Sequence, residues 1–123
     1  MKAWIWFFAL MGMLEGGTAN ADGNDLLKSC QAAVRMMDTD NLPPNDSFEV
    51  GQCFGIVEGV RGVLFIYEDK IPESLRVCLP KGGINNGQAA RIVSKYLHDN
   101  PKDLNLDSTL LTILALKTAY SCK

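Results

Sequence analysis

Apolar residues recur every three or four positions in four stretches of the chain, which is the spacing of one face of an α-helix. The predicted helices span residues 26–37, 47–69, 87–98 and 107–120. Residues 22–25 can cap the first helix, Asp46 or Ser47 can cap the second, and Pro101 ends the third. The fourth is apolar nearly all round, which is typical of a buried helix. The pattern therefore predicts a small all-α bundle of four to five helices.

The second predicted helix carries four glycines, which fall within an arc of about 80° at roughly 100° per residue. They are Gly51, Gly55, Gly59 and Gly62. The opposite side holds a set of apolar residues, namely Cys53, Val57, Val60, Leu64 and Tyr67. Each helical glycine costs roughly 0.5–1 kcal/mol relative to alanine. We interpret the glycines as a site of close helix packing, against the fourth helix of the same chain rather than against a second copy.

The chain begins with the pattern of a secretory signal peptide. A basic start at Lys2 precedes an apolar run over residues 3–14, and Ala19-Asn20-Ala21 is a small-x-small cleavage site. The run is about twelve residues long, and a membrane-spanning helix needs roughly 20. An uncleaved anchor is the alternative. We predict a signal peptide over residues 1–21, cleavage after Ala21, and one helical domain over residues 22–123.

Four cysteines lie in the part that would be exported, and an even number in a small exported domain indicates two disulfides. They are Cys30, Cys53, Cys78 and Cys122. Zinc is the alternative, but structural zinc sites have closely spaced ligands, and His98 is the single histidine. An up-down bundle places the first cysteine level with the second and the third near the fourth. We therefore favour Cys30–Cys53 and Cys78–Cys122 over the other two connectivities.

The composition excludes several classes of function. The net charge is −2 without a basic run, which argues against nucleic acid. Gln52, Glu58 and Arg61 interrupt the second helix, so it is not a membrane span. No nucleophile elbow, phosphate loop or metal-ligand spacing is found, and His98 beside Asp99 fits an exposed helix end better than a catalytic base. We predict no enzyme activity, catalytic residue, metal or cofactor.

Binding is then the remaining function, and two connecting segments are candidates for it. The segment 98–105 is polar, contains a proline and joins two well-formed helices. The segment 70–86 is longer, includes Cys78 and can hold a short helical turn near Glu73. Either segment can equally be a simple connection between helices.

Four motifs, in order along the chain, resemble those of a known family. Residues 53–60 (CFGIVEGV) resemble its Cys-x-Gly-x-x-x-Gly-Val helix, and residues 78–82 (CLPKG) its Cys-x-Pro-x-Gly turn. Residues 93–97 (VSKYL) followed by Pro101 resemble its Val-x-x-Tyr-Leu…Pro segment, and residues 115–122 (ALKTAYSC) its closing Ala-Leu…Tyr-x-Cys. Ser121 stands where proline often precedes the last cysteine. By these motifs the chain resembles the Rap/Tai family, immunity proteins of type VI secretion systems.

The resemblance implies a periplasmic, helical, disulfide-bonded homodimer that binds a peptidoglycan amidase effector and protects the producer from its sister cells. In the family a protruding loop blocks the amidase cleft. Among the loops of this chain we favour the one after the third helix, and as partner-binding residues Asp99, Asn100, Lys102, Asp103 and Asn105. The segment 70–81 is second. The alternatives are a periplasmic chaperone and an orphan binding module without a toxin partner.

Overall fold

The computed structural model describes residues 21–123, which form four α-helices and no strand. The helices are α1 (Gly23–Thr39), α2 (Ser47–Ile66), α3 (Asn86–Asp99) and α4 (Ser108–Ala119). Short 3-10 turns lie at Pro44–Asp46, Glu73–Leu75 and Pro101–Asp103. The predicted all-α fold is confirmed. The predicted signal peptide, apart from Ala21, lies outside the described residues, and the domain boundary at residue 22 stays a prediction.

Side-chain caps fix where three of the helices begin. Asp22 Oδ1 accepts hydrogen bonds from the N–H groups of Asn24 and Asp25, at 2.9 and 3.1 Å. Asn85 caps α3 and Asp107 caps α4 in the same way. Each carboxylate or amide oxygen satisfies backbone donors that have no partner within the first turn. The expected cap on α2 is wrong, because the preceding 3-10 turn runs directly into the helix and Asp46 makes no capping bond.

The core lies where α1 packs against both α2 and α3, and α4 packs mainly against α3. Its fully buried large side chains are Leu26, Val57, Val93, Leu97, Leu111 and Leu116. Two buried polar side chains are bonded within the bundle: Ser29 donates to Gln52 Oε1 at 2.7 Å, and Thr112 donates to the Ser108 carbonyl at 2.8 Å. No helix in the described part of the chain is long and apolar enough to span a membrane.

Two disulfides join the elements, and both predicted pairings are confirmed. Cys30–Cys53 joins α1 to α2 inside the core, with both cysteines fully buried. Cys78–Cys122 is exposed and joins the segment after α2 to the residues after α4. The Cα atoms are 5.0 Å apart in each bond. One disulfide is thus part of the core and the other is a surface link.

The packing predicted for the glycines of α2 against the fourth helix of the same chain is wrong. The side of α2 that carries Cys53, Val57 and Leu64 is buried, but the glycine side is exposed. An ideal Cβ built on each of the four glycines meets no atom of the described residues within 4 Å. The reason is that α1, α3 and α4 all lie on the cysteine side of α2, so no helix within residues 21–123 reaches the other side.

Three smaller expectations also differ from the structure. The second helix ends at Ile66 instead of residue 69, because the N–H groups of Lys70 and Ile71 both donate to the Tyr67 carbonyl and close a turn there. Tyr67, expected on the buried side, is therefore exposed. The fourth helix is buried on one side only, with Ile113 and Leu114 half-buried.

Candidate functional site

The favoured binding segment is the α3–α4 loop, residues 100–107, together with Asp99 at the end of α3. Its backbone is closed by successive short-range hydrogen bonds. Asp103 N–H donates to the Asn100 carbonyl at 3.1 Å, and Leu106 N–H donates to the Asp103 carbonyl at 2.9 Å. Pro101 occupies the first position of the 3-10 turn, where a missing N–H costs nothing. The loop is thus a bonded structure of its own.

The first two residues of α1, Gly23 and Asn24, hold this loop in place, and we call their contacts with it the clamp. The N–H groups of Gly23 and Asn24 donate to the carbonyls of Leu106 and Leu104, at 3.0 and 3.1 Å. The Asn24 side chain donates a second bond to Leu104 at 3.0 Å. A Cβ at Gly23 would lie 2.8 Å from Leu104 Cα and 2.5 Å from Leu111 Cδ1. Only glycine allows so close an approach between the two backbones, and the approach holds the loop against the bundle.

The five predicted binding residues divide into two groups. Lys102 and Asn105 are exposed, and their side chains make no hydrogen bond or ion pair to any residue that the structure describes. Asp103 is half-buried and likewise makes no side-chain bond within the described chain. The Asn100 amide, in contrast, donates to the Tyr96 carbonyl at 2.8 Å. The side chain of Asn100 therefore supports the end of α3 and is already occupied.

Among the loop residues, Asp99 has the closest charged neighbours. Its carboxylate lies 2.6 Å from Lys95 Nζ and 3.3 Å from His98 Nδ1. The hydrogen bond from Lys95, followed by that from His98, lowers the pKa of Asp99 below its ordinary value. The side chain is therefore a carboxylate at neutral pH, and Lys95 partly neutralises its negative charge at the edge of the loop.

The second candidate segment is the α2–α3 connector, residues 67–85. Cys78–Cys122 attaches it to the C-terminal residues, and Cys78 N–H donates to the Tyr120 carbonyl at 2.9 Å. Lys117 Nζ also donates to the Ser74 carbonyl. Gly82 and Gly83 have φ angles of 87° and 72°, which side chains rarely tolerate, so this turn requires them. The predicted helical turn near Glu73 is present at Glu73–Leu75.

An open cleft of about 910 Å³ lies between this connector and the second half of α2. Phe65, Glu68 and Arg76 are among the residues that line it. At its wall Arg61 Nη1 donates to Asn86 Oδ1, and the Asn86 amide donates to Glu58 at 3.3 Å. Arg61 Nε is buried without a partner in the described part of the chain. The cleft is open to solvent and is lined by side chains of both charges.

No group of three or more His, Cys, Asp or Glu side chains that could hold a metal ion occurs within residues 21–123. All four cysteines are in disulfides, so none is available as a nucleophile or zinc ligand. His98 lies exposed at the end of α3 next to Asp99, as the sequence indicates.

Comparison with known proteins gives one match. The family model for Rap1a immunity proteins matches residues 22–122. The chain belongs to the Rap1a immunity protein family. The resemblance found in the sequence motifs is thereby confirmed. No curated protein and no solved structure matches the chain.

Membership of the Rap1a immunity family gives the chain a role in protection against secreted effectors, by binding an effector partner. Such a protein is typically an inhibitor and not an enzyme. The family also suggests a secreted or periplasmic protein.

Gly23 and Asn24, which hold the loop, were not predicted from the sequence. They contact residues about 80 positions away, and a long-range backbone contact leaves no local pattern.

Proposed function

We propose that this member of the Rap1a immunity family acts in the periplasm as a homodimer. Its proposed target is a peptidoglycan amidase delivered by the type VI secretion systems of sister cells. Residues 1–21 direct export and are removed after Ala21 in this proposal. The protein itself performs no catalysis and needs no cofactor. The observation that carries the proposal is the family match over residues 22–122, nearly the whole of the exported part.

The α3–α4 loop is the proposed contact with the effector. A loop that is already ordered loses little conformational entropy on binding, which favours affinity. The clamp from Gly23 and Asn24 provides such order, and the exposed Lys102 and Asn105 side chains are free to contact a partner. Asp99 and Asp103 provide acceptors beside them, while Asn100 positions the end of α3.

A protection assay tests the proposal. A peptidoglycan amidase encoded beside this gene is exported to the periplasm, and survivors are counted with and without the full chain. Survival is expected to rise, with a stable complex on size-exclusion chromatography. The matched control lacks residues 1–21 and stays in the cytoplasm, where it is expected not to protect. Absence of rescue against every amidase of the genome would overturn the proposal and favour a chaperone or an orphan binder.

The loop assignment has its own test, by calorimetry with a catalytically inactive amidase. Lys102→Ala combined with Asn105→Ala is expected to weaken binding by about 10-fold or more, since a few central contacts carry most of the binding energy. Lys81→Ala, an exposed lysine on the α2–α3 connector, is the control and should leave affinity unchanged. If the control weakens binding and the loop variant does not, the contact surface belongs to the connector.

A further inference from the structure

The outward face of α2 is apolar and uncovered. Phe48 and Ile66, near its two ends, are 75% and 71% exposed, and Val63 is 55% exposed. Between these ends lie the four glycines, where an added Cβ would meet no atom of residues 21–123 within 4 Å. We call this surface, made of Phe48, Gly51, Gly55, Gly59, Gly62, Val63 and Ile66, the outer α2 face.

The four glycines are unfavourable for the single chain. Each of them lowers helix stability relative to alanine. At Gly23 the contact with Leu104 explains the missing side chain, but no such contact exists at the four glycines of the outer α2 face. A partner that approaches the helix backbone closely would give these glycines a function.

The shape of the face fits a crossing helix. Phe48 and Ile66 are eighteen residues apart, five full turns, so they point in the same direction from opposite ends. The face is therefore shallow in the middle and raised at both ends. When two helices cross, they are closest at the crossing point and diverge towards their ends. A second copy of the same face would place glycine against glycine at the crossing and large side chains in the gaps on either side.

The area is sufficient for such a pair. With about 200 Å² for a phenylalanine side chain, the exposed parts of the outer α2 face amount to roughly 500 Å² per chain. Two chains would then bury about 1,000 Å², the lower limit for a specific interface. The expected dimer is one that dissociates on dilution.

Charge selects the orientation of the two helices. Glu58 is exposed along one edge of the outer α2 face, and the other edge carries the uncharged Gln52 and Val63. In a two-fold antiparallel pair, both Glu58 side chains would lie along the same edge, close to the axis, and would repel each other. In a parallel pair each Glu58 lies beside the uncharged edge of the partner.

We propose that the outer α2 face pairs with the same face of a second copy, with the two helices running in parallel. The inference rests on the homodimer of the proposed function and assigns it an interface. It leaves the α3–α4 loop, which is at a different connection of the bundle, available to an effector.

Light scattering on the purified chain tests the interface between about 1 and about 500 µM. The unmodified chain is expected to approach the dimer mass at the upper end of this range. Gly55→Leu and Gly59→Leu should be monomeric throughout. Both variants should fold, since nothing in the described part of the chain occupies the space around the new Cβ atoms. Thermal unfolding at low concentration checks this directly. Lys95→Leu, on the exposed side of α3, is the control and should dimerise normally.

A monomer at every concentration, or a dimer that survives both leucine substitutions, would overturn the interface. Glu58→Gln tests the orientation: dimer affinity should stay within about twofold if the helices are parallel, and should rise severalfold if they are antiparallel, because a repulsion is removed. The protection assay is independent of these outcomes. A monomeric chain that still protects would remove the interface and leave the immunity function standing.

Discussion

The two connections on either side of α3 are held in place by different means. The α2–α3 connector is attached by an exposed disulfide and by bonds to α4. The α3–α4 loop is held by hydrogen bonds from Gly23 and Asn24 and by the contact that the missing side chain of Gly23 allows. The α2–α3 connector therefore depends directly on oxidation, whereas the α3–α4 loop is held without a disulfide of its own.

Removal of the surface disulfide should have the largest effect. A bond that closes a loop of this length typically contributes about 2–4 kcal/mol. Cys78→Ala with Cys122→Ala is expected to lower the free energy of unfolding by that amount, measured with urea. Hydrogen exchange should rise in the α2–α3 connector and stay unchanged in the α3–α4 loop. Equal acceleration in both segments would show that the two connections are not independent.

Gly23→Ala should act on the opposite connection. The new Cβ would collide with the Leu104 backbone, which cannot move away without loss of its bonds to Asn24. Overpacking of this kind costs about 1–3 kcal/mol, and faster exchange is expected at Leu106 and not at Cys78. Gly55→Ala is the matched control: its Cβ enters open space in the described chain, so at a concentration where the chain is monomeric the variant should be as stable as the parent or more so. A Gly23→Ala variant as stable as the parent would contradict the clamp.

Within the loop, substitutions in the two groups of residues should differ in their effect on the free energy of unfolding. Asn100→Ala removes a bond to the Tyr96 carbonyl and is expected to cost about 1 kcal/mol. Lys102→Ala removes only exposed atoms and should stay within about 0.5 kcal/mol of the parent. Urea unfolding of both variants measures the difference. A cost at Lys102 similar to that at Asn100 would mean that its side chain supports the fold.

The smallest effect on stability is expected from a decrease in pH. Hydrogen bonds from the Asp25 and Asn24 N–H groups lower the pKa of Asp22, and those from Lys95 and His98 lower the pKa of Asp99. A lowered pKa means that the unfolded chain binds more protons, so stability is complete above about pH 4.5 and declines as the pH falls below that value. Asp22→Asn keeps a capping oxygen but does not titrate. Its stability should fall less between about pH 5 and about pH 3 than that of the parent.

Periodicity in the sequence was sufficient to predict the four helices, because the buried side of each helix requires apolar residues at a regular spacing. The disulfide pairing followed from the order of those helices, since neighbouring helices in an up-down bundle bring Cys30 beside Cys53. The covered side of α2 could not be predicted. Both of its sides lack charge over most of their length, and a sequence pattern does not specify how many neighbours a helix has.

The candidate site was predictable only as a segment. The polar composition of residues 98–105 indicates a loop, but it does not separate Asn100, which supports a helix end, from Lys102, which is free. That difference depends on the direction of each side chain after the 3-10 turn. The clamp at Gly23 depends on a contact between residues about 80 positions apart, and a local sequence pattern does not predict such a contact.

The cysteines are paired in the order in which they occur along the chain, first with second and third with fourth. In a chain that crosses a membrane N-terminus first and is oxidised as it emerges, Cys30 and Cys53 arrive before the other two thiols are present. Each thiol then meets its native partner before any wrong one, so correct bonds form without later exchange between disulfides. Consecutive pairing of this kind reduces the need for an isomerase, which suits an immunity protein that has to be folded before the effector arrives.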